Sequence, residues 1–221
     1  MFFLLCWQGK DVIGMKREIP REKPESIVSL WPGHLDMFSH IDYVAGVPQA
    51  IFLVTTVKPD GKINACLQSW TAFGGGGDGY YAVMAGLANW GHTYQNIMRD
   101  QEFCINFLSP KYYDACKKTI EVNDQDVDEL EAAGLTAEPA AHVKPPRIKE
   151  AFLVYECRLT SDTPLANKGA ARLIVGEVIH AAQDASHDTW KTACGESGFA
   201  YYAQAEGRDG GIAGLEALRD A

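Results

Sequence analysis

Several chemistries have no sequence support here, because their signatures are missing. There is no Gly-x-Ser-x-Gly nucleophile elbow, no His-Glu-x-x-His zinc motif and no Gly-x-x-x-x-Gly-Lys phosphate loop. The six cysteines, Cys6, Cys66, Cys104, Cys116, Cys157 and Cys194, include no Cys-x-x-Cys pair, so neither a zinc knuckle nor a dithiol redox motif is supported. An even count is compatible with disulfides, but most of these residues sit in apolar runs, as free buried thiols do. Clustered basic residues are also lacking. The formal net charge of −9 argues against a general nucleic-acid surface, although an acidic protein can still hold one phosphate locally.

Long apolar runs are missing too. Met1 to Trp7 is apolar, but it has no basic leader and meets Gln8, Lys10 and Asp11 too soon for a secretory or membrane-spanning segment. It reads as a terminal strand or docking arm of a cytoplasmic protein, and the alternative of a lipidated Cys6 has no targeting peptide before it. The histidines are scattered. His34 and His40 beside Asp36 allow a metal site, but an exposed polar loop explains them more simply, and no metal is expected.

What is present is a globular composition of 221 residues, 47% hydrophobic and 22% charged. Six runs have strand character: Gln49 to Val57, Lys62 to Ala72, Tyr80 to Leu87, Phe103 to Leu108, Ala151 to Thr160 and Arg172 to Ala181. In Phe103-Cys104-Ile105-Asn106-Phe107 the large apolar residues alternate and face one side. Lys58-Pro59-Asp60-Gly61 is a turn joining two neighbouring antiparallel strands, since proline presets its backbone angle and glycine accepts a positive one.

Helices are expected at Thr93 to Asp100, from Ser109-Pro110 to about Lys118, and at Asp126 to Ala133, the last stopped by Gly134. Residues 1–45 read as an N-terminal extension and residues 46–205 as the domain. Residues 206–221 form a tail that Gly207 to Gly214 loosens before a possible terminal helix. Strands of similar length with helices between them predict a mainly β fold with inserted helices, a mostly antiparallel barrel. No early strand leads into Gly-x-Gly-x-x-Gly, which argues against a doubly wound nucleotide-binding sheet.

Two clusters carry the functional signal. From Asn64 to Trp70, polar and apolar residues mix on both faces of an extended strand, where an ordinary half-buried strand sorts them. Either a flat ligand lies against this edge or the protein itself covers it. The second cluster, Leu87 to Ile97, links a strand to a helix. Free amides at that helix start, with Thr93 and His92, can receive an anion, and a simply capped helix is the alternative.

Taken in order, Val54-Thr55-Thr56-Val57, Asp60-Gly61-Lys62, Asn64-Ala65, Ser69-Trp70, His92-Thr93-Tyr94 with Asn96-Ile97, and Glu102-Phe103 with Asn106 resemble the flavin reductase-like FMN-binding split-barrel proteins, especially their flavoredoxin-like branch. The similarity continues through Gly134-Leu135-Thr136, Ile148 to Ala151, Glu156-Cys157 and Val175 to Val178, spanning roughly residues 47–181.

This resemblance implies a Greek-key split β-barrel that forms a homodimer and holds FMN near the subunit interface. NADH or NADPH would be the electron donor, and an acceptor or partner oxygenase would lie downstream. It places the isoalloxazine along Ala65, Cys66, Leu67, Gln68, Ser69 and Trp70 and counts Thr55 among the cofactor-binding residues. It places the phosphate near Asn89, Trp90, His92 and Thr93. Trp70 and Trp90 either flank the flavin or pack the strand ends.

Two departures matter. Gly91 stands where many relatives carry arginine, leaving Lys58, Lys62, Arg172 or a partner subunit to supply a cation. Gly74 to Asp78 replaces a loop of different composition and is expected to be flexible. The resemblance does not cover residues 2–45.

Overall fold

The Pro59-Asp60-Gly61 turn organises the first hairpin as its residues require. Gly61 takes φ 89°, Lys58 N–H donates to Lys62 O at 2.8 Å, and Gly61 N–H donates to Lys58 O at 3.0 Å. The computed structural model describes residues 18–29, 35, 39–187, 197–205 and 208–212. The possible terminal helix, most of the N-terminal arm, His34, Asp36, Cys6 and Cys194 lie outside them.

In chain order the elements are α1 (His40–Ala45), β1 (Gln49–Ala50), β2 (Phe52–Val57), β3 (Ile63–Gln68), β4 (Thr71–Gly76), β5 (Gly79–Ala88), α2 (His92–Asp100) and β6 (Glu102–Phe107). They continue with α3 (Tyr113–Glu121), α4 (Glu129–Ala133), β7 (Ala137–Glu138), β8 (Arg147–Ile148), β9 (Leu153–Ala166), β10 (Ala171–Gln183), β11 (Tyr201–Ala205) and β12 (Arg208–Ile212). A seven-stranded antiparallel sheet has the order β3-β2-β6-β9-β10-β5-β4. Its two edge strands are consecutive in sequence and joined by Ser69 and Trp70 alone. The sheet therefore has to curl until its edges approach at that corner, which makes a barrel split between β3 and β4.

Phe103, Ile105 and Phe107 point to one side, as their alternation requires, and form the barrel core with Phe52, Val54, Met84, Ile174 and Ile97 of α2. Gly176 leaves room for this packing, since a Cβ there would lie 2.3 Å from Phe103 Cζ. Asn106 points to the opposite face and is fully buried. Its amide reaches Leu53 O and Thr55 Oγ1 at 3.2 Å, and its Oδ1 accepts from Ile148 N–H at 2.9 Å. On that face Leu53 and Ala65 meet Cys116, Leu130, Leu135 and Ile148 in a second apolar cluster under α3 and α4. Asp128 caps α4 by accepting from Glu131 N–H at 3.1 Å, and Gly134 ends it at φ 74°.

Three expectations need correction. The run Lys62 to Ala72 is not one strand. Trp70 adopts φ 40°, and its carbonyl accepts from Ala85 N–H at 3.0 Å, which turns the chain into β4. Gly74, Gly75 and Gly76 are not loop but β4 itself, opposite Tyr81, Tyr80 and Gly79, because ladder pairing absorbs their backbone freedom. Residues 208–212 likewise form a strand, with Ile212 opposite Tyr202.

Candidate functional site

Strand β3 alternates side chains, so Asn64, Cys66 and Gln68 share one face while Ala65 and Leu67 face the second apolar cluster. The first row meets α2. Asn64 Nδ2 donates to Thr93 Oγ1 at 2.9 Å, with both residues buried, and Asn96 Nδ2 donates to Thr56 Oγ1 at 3.0 Å alongside. Gln68 Nε2 approaches Cys66 Sγ at 3.1 Å. Burial pushes the Cys66 thiol up, so it is protonated near neutral pH and is not a nucleophile. The two clusters singled out by sequence thus form one corner.

The start of α2 has the features of an anion site, but they are not all the expected ones. Gly91 occupies the N-cap position without a side-chain cap. His92 Nδ1 is buried with no hydrogen-bond partner among the described residues. The Thr93 hydroxyl accepts from Asn64, so Thr93 has its backbone N–H and its own O–H as donors. Asn89 is exposed, and Trp90 is 66% exposed beside them. Among the described residues, packing therefore does not account for Trp90.

The other residues take supporting places. Thr55 is fully buried behind β3 and donates to Pro146 O at 2.6 Å. Ala65 is buried as well, and its N–H donates to Glu129 Oε2 at 2.7 Å, so that amide is occupied from within. Trp70 packs on Gly86, where a Cβ would lie 2.9 Å from Trp70 Cε3, and its Nε1 donates to Asp42 Oδ2 at 3.3 Å. Leu67, Gln68 and Ser69 are half-buried along the edge.

Glu129 was not singled out in the sequence, and two of the cations offered there for a phosphate are engaged by internal carboxylates. Lys58, taken as a possible phosphate partner, is fully buried. Its ammonium sits 3.0 Å from Glu129 Oε1 and donates to Asp124 O at 2.8 Å and Val127 O at 2.7 Å. Burial raises the Glu129 carboxyl, while Lys58 and the Ala65 N–H oppose that rise. Arg172 is held by Asp162 through bonds of 2.8 and 2.7 Å and lies over the Tyr94 ring. Its guanidinium keeps the Asp162 carboxyl below the usual range. Lys62 pairs with Asp60 at 2.7 Å in the exposed turn. The lysine before a turn proline gave no sign that it would be drawn inward. Only the acidic run ahead of Gly134 hinted at a partner for it.

Elsewhere His40 Nε2 lies 2.9 Å from Pro20 O, and Cys66, Cys104, Cys116 and Cys157 are free thiols. A cavity of about 200 Å³ is lined by Lys111, Tyr112, Lys149, Phe152 and His187 among others. It shares no residue with the β3–α2 corner.

The family model for the flavin reductase like domain matches residues 44–202. The chain belongs to this family. An uncharacterized protein of Aquifex aeolicus (strain VF5) is 31% identical over 138 residues, 60% of this chain and 68% of that protein. Among solved structures, nitrilotriacetate monooxygenase component B from Bacillus cereus is similar at TM-score 0.68 and 19% identity, covering 90% of this chain and 96% of that one. The FMN-binding protein from Thermus thermophilus with bound 1-cyclohex-2-enone is similar at TM-score 0.64 and 17% identity, covering 91% and 98%.

At these identities the structural likeness shows the fold, the split barrel expected from sequence. Membership in the flavin reductase-like family makes the chain a flavin-linked oxidoreductase. Among the described residues no helix is long and apolar enough to cross a membrane.

Proposed function

We propose that this flavin reductase-like protein is a cytoplasmic, homodimeric, FMN-dependent oxidoreductase that takes electrons from NADH or NADPH. The observation carrying this reading is the convergence of a half-buried strand edge with an uncapped helix start whose His92 Nδ1 lacks a partner. These residues fit the cofactor's two ends. Cys66, Leu67, Gln68 and Ser69 would hold the ring from the strand side, with Thr55, Ala65 and Trp70 fixing that strand from behind. The N–H groups of His92 and Thr93, the His92 side chain and the neighbouring Asn89 would face the phosphate.

Bound there, FMN would supply the redox chemistry, accepting a hydride from the nicotinamide and passing two electrons onward. The chain's own contribution is positional. The Asn64–Thr93 bond keeps strand and helix start in one geometry. Exposed Trp90 can shield the ring or meet a second protomer. Cys66 stays protonated and apolar rather than taking part as a base. The acceptor is proposed to be a small oxidant or a partner oxygenase, in keeping with the Bacillus cereus relative being a monooxygenase component B.

A second reading, a noncatalytic flavin-binding module or a cofactor-free interaction protein, draws on the commitment of Lys58 and Arg172 to internal carboxylates, which leaves neither for a phosphate. Titration with FMN followed by NADH or NADPH without oxygen separates the two. Loss of the oxidised flavin absorption supports the oxidoreductase. A yellow protein indifferent to both donors supports the binding module, and a protein that takes up no flavin supports the interaction reading.

A further inference from the structure

We propose that Asp128 and Glu129, at the start of α4, set the register at which a flavin ring engages β3. They occupy the outward N–H groups of Ile63 and Ala65 and leave Leu67 as the first residue whose backbone is open to the ring. This rests on the flavin reading above and adds residues to which the resemblance gives no role.

An antiparallel edge strand turns the N–H and C=O of every second residue outward. On β3 these are Ile63, Ala65 and Leu67. Ile63 N–H donates to Asp128 Oδ2 at 3.1 Å and Ala65 N–H to Glu129 Oε2 at 2.7 Å, so two consecutive carboxylates stand in for a neighbouring strand. Leu67 is the next residue in the row, about 7 Å beyond Ala65 at strand spacing. Its N–H has no partner among the described residues, and its carbonyl receives only a long thiol contact of 3.8 Å from Cys66.

The acidic cover is fixed in place. The other oxygen of Asp128 caps α4 through Glu131 N–H at 3.1 Å. Glu129 is anchored by the Lys58 ammonium at 3.0 Å, which is itself held by two carbonyls of the loop preceding α4. Moving Glu129 aside would strand a fully buried cation. A ring therefore cannot displace it and must dock one step along the strand.

There the chemistry matches. Leu67 presents one donor and one acceptor side by side, and the pyrimidine edge of a flavin presents a carbonyl beside an imide N–H. The carboxylates upstream would repel the ring's carbonyls, so the same pair that covers the edge also rejects the wrong register.

Amide-resolved NMR of the full chain, titrated with FMN and with riboflavin, tests this. The expected result is that the Leu67 N–H shifts or broadens to saturation with both flavins while the Ile63 and Ala65 signals hold their positions. In Lys58→Met/Glu129→Leu, which removes both buried charges together, the Ala65 N–H should begin to respond. Should that variant not fold, the wild-type titration still decides. An Ala65 response in the wild type as large as that of Leu67, or a silent Leu67 while FMN saturates, overturns the register assignment and leaves the flavin reading intact. No response at any amide, together with no flavin retained by absorbance, overturns both.

Discussion

Asn64 Nδ2 donates to Thr93 Oγ1 at 2.9 Å, joining the strand edge to the first turn of α2 through two buried side chains 29 residues apart. Neither group has water as a substitute, so losing one partner leaves the other unsatisfied. Asn64→Ala and Thr93→Val should each lower stability by about 1–3 kcal/mol in denaturant unfolding, and the double variant should cost less than their sum. Strict additivity would show that the bond does not form in solution. Because this bond fixes the whole corner, Thr93→Val should weaken FMN and riboflavin alike.

His92 behaves differently. Its Nδ1 lacks a partner at an uncapped helix start, where an anion would be welcome. His92→Ala should weaken FMN about tenfold, the value of a charge-assisted hydrogen bond, and leave riboflavin within a factor of about two. Flavin fluorescence quenching measures both, and equal losses would place His92 away from the phosphate.

The Lys58–Glu129 pair is closed to solvent on both sides. Glu129→Ala leaves a buried ammonium alone and should cost about 3–5 kcal/mol, whereas Lys58→Met/Glu129→Leu should recover most of it. An undisturbed melting curve for Glu129→Ala would mean that water reaches Lys58.

Acid should loosen the outer strap formed by residues 139–147. Burial alone would raise the Glu156 carboxyl, but the Ala141 N–H, Arg147 and the His142 N–H outweigh it and hold the group below its usual range. A carboxylate with a depressed folded pKa contributes stability above its unfolded pKa and loses it as pH falls through the folded value. Protection of the Ala141 and His142 amides, which donate to Glu156 at 2.8 and 2.7 Å, should therefore fall below about pH 4 in hydrogen exchange, and Glu156→Gln should remove that pH dependence.

Much of this was legible in sequence because it is local. Gly61 makes its turn, Phe103, Ile105 and Phe107 share a face, and Gly134 ends α4, each through its own backbone or side-chain preference. The ordered segments around Asn64 and His92 also located the corner. What stayed hidden depends on distant partners. Trp70 bends the chain where Gly86, at φ 79°, leaves a face for its ring. Ala65 loses its amide to a residue 64 positions away, and Lys58 is drawn inward by that same carboxylate. Four glycines in a row read as a loop, yet three of them enter a ladder whose partner strand supplies the order.

The proposed FMN site at the β3–α2 corner and its proposed reduced-nicotinamide donor can be tested together. The most direct measurement is the visible absorption of FMN-loaded protein under anaerobic conditions during addition of NADH and then NADPH. At least one donor should bleach the flavin stoichiometrically, and oxygen should restore it. An FMN-saturated protein whose spectrum neither donor changes would show that its flavin takes no electrons from a reduced nicotinamide.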